Sequence, residues 1–172
     1  MIERFTQPAT EGFGTRYVEP GAIATVILDG AAEEHRWGVL APWRGHGGVR
    51  PPPIRLATLA SLAMIPVLRK ATRCLVPAVC VLAKTKAGSK TRVWQLVAGV
   101  DAMLFAGVTA THKDDGVPSF ALLTVPAPLS LATYSDVVPA LADEAWLQGG
   151  EPIDRPWRAL DPSANPDQGE LF

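Results

Sequence analysis

The chain has 172 residues, 48% of them apolar, and a formal net charge of −1. That length suits a single domain with a sizeable core, and the apolar share excludes wholesale disorder. No apolar run follows a basic segment at the start, and the longest such run, Leu56 to Leu68, is interrupted by Pro66 and too short to span a bilayer; a cytoplasmic chain with no membrane partner is expected.

In chain order, Met1 to Thr6 belongs to the fold, and residues 7–16 form a turn-rich connector with Pro8, Gly12 and Gly14. Ala22 to Leu28 is a strand ending at the turn Asp29-Gly30, and His35 to Leu40 is the next strand, reached across a short acidic loop. Residues 43–53 make a loop, glycine-loose at one end and proline-stiff at the other, that holds Trp43, Arg44, His46 and Arg50 as candidate contacts. Residues 56–65 favour a short helix closed by Pro66.

Arg73 to Leu82 reads as one β-rich run whose proline implies an edge or a bulge. Lys84 to Lys90 is a basic hairpin tip, and Arg92 to Ala98 continues as a strand with Trp94 and Leu96 on one face. Met103 to Val108 and Phe120 to Val125 are further strands on either side of an exposed THKDDG loop. Asp143 to Leu147 starts a short helix that Trp146 packs onto the sheet. From Gly149 onward periodicity vanishes, which gives a domain over residues 1–148 and an extended or disordered tail over 149–172. Six or seven strands and few helices predict an α+β, β-dominated domain: an antiparallel sheet or open barrel with a few short helices.

Cys74 and Cys80 have no CxxC or paired-histidine spacing, and His46 and His112 have no ligand at metal-binding spacing. Neither a metal nor a cofactor is expected. On one extended strand, six residues apart, the two cysteines cannot bridge each other, so buried thiols are predicted.

Charge is unevenly spread. His35 to Val100 contains eleven Lys or Arg and no acid, whereas the first thirty-four residues carry six acids and two bases. Everything after Val100 carries eleven acids and three bases. A basic middle between acidic flanks suggests a polyanion-facing surface, against the plainer alternative that the charges scatter over all faces on folding.

Several segments in order resemble the SOS-response-associated peptidase (SRAP) family. Its opening M-C-G-R-F is matched by Met1, Arg4 and Phe5; its Y-N-x-A-P is similar to Tyr17-Val18-Glu19-Pro20, one residue shorter. Its W-G-L-x-P-x-W is similar to Trp37-Gly38-Val39-Leu40-Ala41-Pro42-Trp43, with the proline displaced by one. R-C-L-V-P-A is matched by Arg73-Cys74-Leu75-Val76-Pro77-Ala78, F-A-G-L by Phe105 to Val108, and I-H-D-R-M-P by Tyr134 to Pro139. The likeness spans roughly residues 1–148 and implies the family's fold.

The resemblance also implies a chemistry that this sequence lacks. Family members join the α-amine and thiol of a second-position cysteine to the aldehyde of an abasic site in single-stranded DNA, forming a thiazolidine. Here that position is Ile2, behind a methionine that is normally retained before a large branched residue. The family glutamate falls on Ala83 and its histidine on Ser135. Its asparagine falls on Pro53 in one register and on Arg55 in the other. Ser135 cannot do the work of an imidazole near neutral pH. Cys80, in an apolar run without a basic neighbour, lacks the setting of a reactive thiolate. No catalytic residue is assigned, and a pseudoenzyme is expected.

What the resemblance leaves is non-covalent contact with single-stranded DNA, in repair, the SOS response or phage-related DNA metabolism. Arg4 and, in the register that puts the asparagine on Pro53, Arg55 match arginines that line the family's DNA channel; Trp43 matches its base-stacking wedge, and Arg44 and Arg50 sit in the same loop. Stacking on an aromatic beside a basic groove is the physics of sequence-tolerant single-strand binding. A second candidate partner comes from the chain's end. Gln168, Leu171 and Phe172 resemble, with Gly169 as a departure, the short motif that docks on the bacterial replication sliding clamp. That reading makes the protein an interaction module with an apolar anchor.

Overall fold

The computed structural model describes residues 2–9, 14–41, 46–99 and 102–161. Its strands are β1 (Ile2–Pro8), β2 (Thr15–Val18), β3 (Ile23–Leu28), β4 (Ala31–Trp37), β5 (Leu56–Ala57), β6 (Thr72–Ala78), β7 (Cys80–Ala87), β8 (Lys90–Ala98), β9 (Met103–Thr111), β10 (Pro118–Pro126), β11 (Val137–Pro139) and β12 (Trp157–Leu160). Three short helices join them: α1 (Leu59–Met64), α2 (Pro66–Arg69) and α3 (Glu144–Leu147). The α+β, β-dominated class is as expected, with more strands than periodicity alone reveals. β2, β5, β11 and β12 have four residues or fewer, too few to establish an alternating pattern.

The strands form two sheets. One runs β12-β8-β7-β1-β2. In the other, β3 pairs with β4, β4 with β10, β10 with β9, β9 with β6, and β6 back with β3, so five strands close into a ring. The barrel is therefore closed, not open. Nor is it wholly antiparallel, because β10 runs parallel to both β4 and β5. The larger core lies between the two sheets and includes Phe5, Trp37, Phe105 and Phe120. Phe5 meets Trp37 edge-on at 5.2 Å, and Trp37 stacks on Phe120 at 6.5 Å. A second cluster, with Leu75, Val108, Leu123 and Trp146, lies on the opposite face of the ring strands beneath the helices.

Local sequence explains most element boundaries. Asp29 and Gly30 both have positive φ, 43° and 81°, which is the two-residue hairpin turn that Asp-Gly favours. The hairpin is tighter than expected. Ala31 to Glu34, read as an acidic loop, is the first half of β4 and pairs with Thr25 to Leu28. The helix predicted over 56–65 starts later, because Leu56 and Ala57 pair with Leu122 and Leu123. Thr58 then caps α1, its Oγ1 accepting from Ser61 N at 3.1 Å while Ser61 Oγ accepts from Thr58 N, a capping box. Pro66 ends that helix and opens α2 as its first residue.

The run Arg73 to Leu82 is not one strand. It divides at Val79 into β6 of the ring and β7 of the second sheet, and Val79 N donates to Thr6 O at 2.7 Å. Cys74 and Cys80 therefore stand on different strands in different sheets, both as free buried thiols. Beyond Gly149 the chain continues to pack: Ile153 bridges Leu141, and β12 adds to β8 with Trp157 buried. Among the described residues, no helix is long and apolar enough to cross a membrane.

Candidate nucleic-acid interface

Ile2 and Ala83 are cross-strand partners in the β1–β7 ladder, and Ala83 in turn faces Trp94 on β8. Residues directly opposite in a ladder share a face, so three strands present Ile2, Ala83 and Trp94 side by side. Ile2 is 5% exposed and Ala83 fully buried, both within the larger core. Tyr134 packs on Trp94 with ring centroids 4.8 Å apart. Its neighbour Ser135 is buried, donating its hydroxyl to Val137 O at 2.6 Å. The positions that match the family's thiol, glutamate and histidine are thus two apolar core residues and a hydroxyl turned onto its own backbone. Ile2 and Ala83 carry no ionisable or hydrogen-bonding side-chain group, and Ser135 is engaged with Val137.

The predicted contact residues divide. Arg4 lies over the Tyr17 ring at 4.8 Å and reaches Glu19 at 3.6 Å. Tyr17 is 60% exposed, so a cation and an open aromatic face stand together at the sheet edge. Arg55 lines a cleft of about 240 Å³ with Gly21, Arg36, Trp37, Gly38 and Pro53. Its carbonyl accepts from Trp37 Nε1 at 3.0 Å and from Leu122 N at 2.9 Å, so core contacts fix the backbone that carries this cation. Pro53, the alternative position for the family asparagine, belongs to the same cleft. Arg50 is engaged elsewhere, donating to Asp114 at 2.9 Å. Trp43, Arg44, Gln168, Leu171 and Phe172 lie outside the described residues, as does any account of the tail's end.

Part of the charge polarity of the sequence is folded into pairs between the middle and the flanks. Arg36 meets Asp115 and Arg50 meets Asp114, each at 2.9 Å; Lys84 meets Glu3 at 2.7 Å and Arg92 meets Asp161 at 3.5 Å. Arg73 lies 3.8 Å over the Trp146 ring and donates to the carbonyls of Trp146 and Gly150. Arg55, Arg69, Lys70, Lys86 and Lys90 form no ion pair among the described residues.

The two aspartates are held ionised by these contacts. The Arg50 hydrogen bond keeps Asp114 below the usual carboxylate range, and the Val117 backbone N–H, followed by Arg36, does the same for Asp115. The loop that carries them also holds His112, whose Nδ1 accepts from Asp114 N at 3.1 Å. Among the described residues, no group of three or more His, Cys, Asp or Glu side chains is arranged to hold a metal ion. Burial pushes the Cys74 thiol up to about 12. Cys80 is raised by the same cause, opposed by a hydrogen bond with Thr6.

A polar cluster absent from the sequence reading lies at one end of the ring. His35 is buried on β4, with Nδ1 2.6 Å from Thr109 Oγ1 and Nε2 2.8 Å from Glu33 Oε2. Thr109 Oγ1 donates to Ser119 O at 2.8 Å. Glu33 and His35 are two apart on a strand, a spacing that places them on one face. Thr109 is seventy-four residues further on, and nothing local in the sequence announces it.

No family model matches the chain, and no curated protein matches it. Solved structures do. A protein from Bordetella bronchiseptica aligns with TM-score 0.68 at 15% identity, over 92% of this chain and 99% of that one. A phage-related protein from the same organism aligns with TM-score 0.60 at 17% identity, over 92% and 93%. A protein from Bacteroides thetaiotaomicron aligns with TM-score 0.61 at 16% identity, over 76% of this chain and 66% of that one. At such identities the likeness establishes a shared fold.

Proposed function

We propose that this chain is a SRAP-like protein without covalent chemistry that binds single-stranded DNA non-covalently, in repair or phage-related DNA metabolism. The observation that carries the reading is the Ile2–Ala83 pair. A reaction centre of this family needs a nucleophile facing a carboxylate, and these matched positions are closed by apolar packing. A buried carboxylate or thiolate without partners costs several kcal/mol, so residues of this kind at these places favour a core over a catalyst.

Binding without reaction draws on other groups. Arg4 beside the exposed Tyr17, and Arg55 at the Gly38 cleft, supply cations next to aromatic or apolar surface. Trp43 adds a candidate stacking partner, worth about 1–3 kcal/mol per base where a base stacks on it. Four of the bases in the middle segment are neutralised by flank acids. The expected affinity is therefore modest and salt-sensitive, not that of an open basic groove.

The test is one sample run on two gels. A labelled single-stranded oligonucleotide containing an abasic site is incubated with the protein, then split between native and denaturing electrophoresis. The reading predicts retardation on the native gel and free oligonucleotide on the denaturing one. A band that survives denaturation refutes the loss of chemistry; free oligonucleotide on both gels refutes the binding.

A further inference from the structure

All five strands of the ring contribute to one cavity of about 710 Å³ at a single end of the barrel, with Leu28, His35, Thr72, Thr109 and Pro118 among its walls and α2 at its rim. Barrel mouths are a recurring place for small-molecule sites, and this volume falls in the usual range. The walls from Leu28, Pro66, Val67 and Pro118 are apolar; His35, Glu33 and Lys70 are the ionisable groups of the lining, beside three threonine hydroxyls.

Hydrogen-bond accounting shows what the cavity offers a ligand. A carbonyl can only accept, so Thr109 gives its one hydroxyl proton to Ser119 O. Towards His35 that hydroxyl can then only accept, and His35 Nδ1 donates. At the other ring nitrogen, Nε2 lies 2.8 Å from Glu33 Oε2, so one proton is shared between the two groups. The ring is buried, and its Nε2 partner is a carboxyl group whose side chain is 52% exposed. The same accounting argues against a nucleophilic Thr109, because its proton points to Ser119 O and away from His35.

We propose that this barrel mouth binds a small amphipathic carboxylate. Its head takes the place of Glu33 on His35 Nε2 and draws in Lys70, and its apolar body lies along Leu28, Val67 and Pro118. Glu33 is replaceable because half of it stands in water, whereas His35 is fixed by burial and by Thr109. Lys70 forms no ion pair among the described residues and follows α2 directly. With one proton shared between His35 and Glu33, Lys70 leaves the lining with a net positive charge, which favours an anion. Short walls of proline and branched aliphatic side chains favour a hydrocarbon body over a sugar or a base.

Calorimetric titration of the full chain with octanoate, octanol and octylammonium tests this, alongside NMR of the His35 imidazole. Octanoate is expected to bind saturably and shift the His35 ring resonances, with octanol weaker and octylammonium silent. Lys70→Gln, a change on an exposed rim that leaves the core untouched, is expected to weaken octanoate by roughly two- to five-fold. Glu33→Gln is expected to tighten it by removing the internal competitor. The proposal fails if wild type shows no octanoate binding, if octanol binds equally well, or if octanoate binds without moving the His35 resonances. It fails equally if Lys70→Gln leaves the affinity unchanged.

Discussion

Ile2 lies directly across the β1–β7 ladder from Ala83, and both are core residues. Two positions eighty-one residues apart in the sequence are thereby fused into one apolar contact, continued by Trp94 on the next strand. Reintroducing family-type groups here is a matter of core energetics before it is a matter of catalysis. Ala83→Glu should cost about 3 kcal/mol or more, the penalty for a carboxyl group without partners in a packed site. A urea denaturation midpoint measures it. Ile2→Cys alone should form no denaturation-resistant adduct with abasic DNA, since the carboxylate and imidazole would still be missing.

Gly107 on β9 sits where the two cores meet. A Cβ built there would lie 3.0 Å from Cys74 Sγ, 3.1 Å from Ala121 O and 3.2 Å from Val76 Cγ2. Two of those neighbours are ring-strand side chains and one is backbone, so little can yield. Gly107→Ala should destabilise the fold by about 1–3 kcal/mol through overpacking, read as a lowered denaturant midpoint at unchanged slope.

Acid should loosen the loop between β9 and β10. Asp114 and Asp115 have folded pKa values held below the ordinary 3.8. A lowered folded value means that their stabilising effect is complete above 3.8 and disappears as pH falls through the depressed folded values. Thermal midpoints followed down through that window should decline less steeply in an Arg36→Gln, Arg50→Gln double variant than in wild type. Identical acid limbs would remove these pairs from the explanation.

The two thiols should be silent in the native protein. Desolvation raises both, Cys74 to about 12, and the thiolate is the reactive form. With a disulfide-exchange reagent at about pH 8, no rapidly reacting thiol is expected in buffer. Both cysteines should react at once in guanidinium. A fast native phase would mark Cys80, the less deeply buried of the pair, as accessible.

How far the sequence could be read depended on whether the deciding contact was local. The Asp29-Gly30 hairpin and the packing of Trp146 onto a strand were legible, because turn chemistry and large apolar residues act at short range. The division of Arg73 to Leu82 was not. Both halves are apolar, no turn residue marks Val79, and the break is set by β1, whose Thr6 carbonyl takes the Val79 N–H. The same holds for charge. An acid-free middle looks like a basic surface until Asp114, Asp115 and Asp161 are brought back against it. Of the candidate contacts, Arg4 and Arg55 stand beside a ring and a cleft, and Arg50 turned out to serve a loop. The His35–Thr109 pair went unseen because its two halves share only the ring.

The most direct measurement of the central claim is a fluorescence anisotropy titration of labelled single-stranded DNA at two salt concentrations, with wild type and Trp43→Ala. Non-covalent binding through cations and a stacking tryptophan predicts a saturable rise at about 50 mM salt, at least ten-fold weaker at about 200 mM, and weaker again in the variant. A flat trace at low salt, or binding indifferent to both salt and Trp43→Ala, would contradict it.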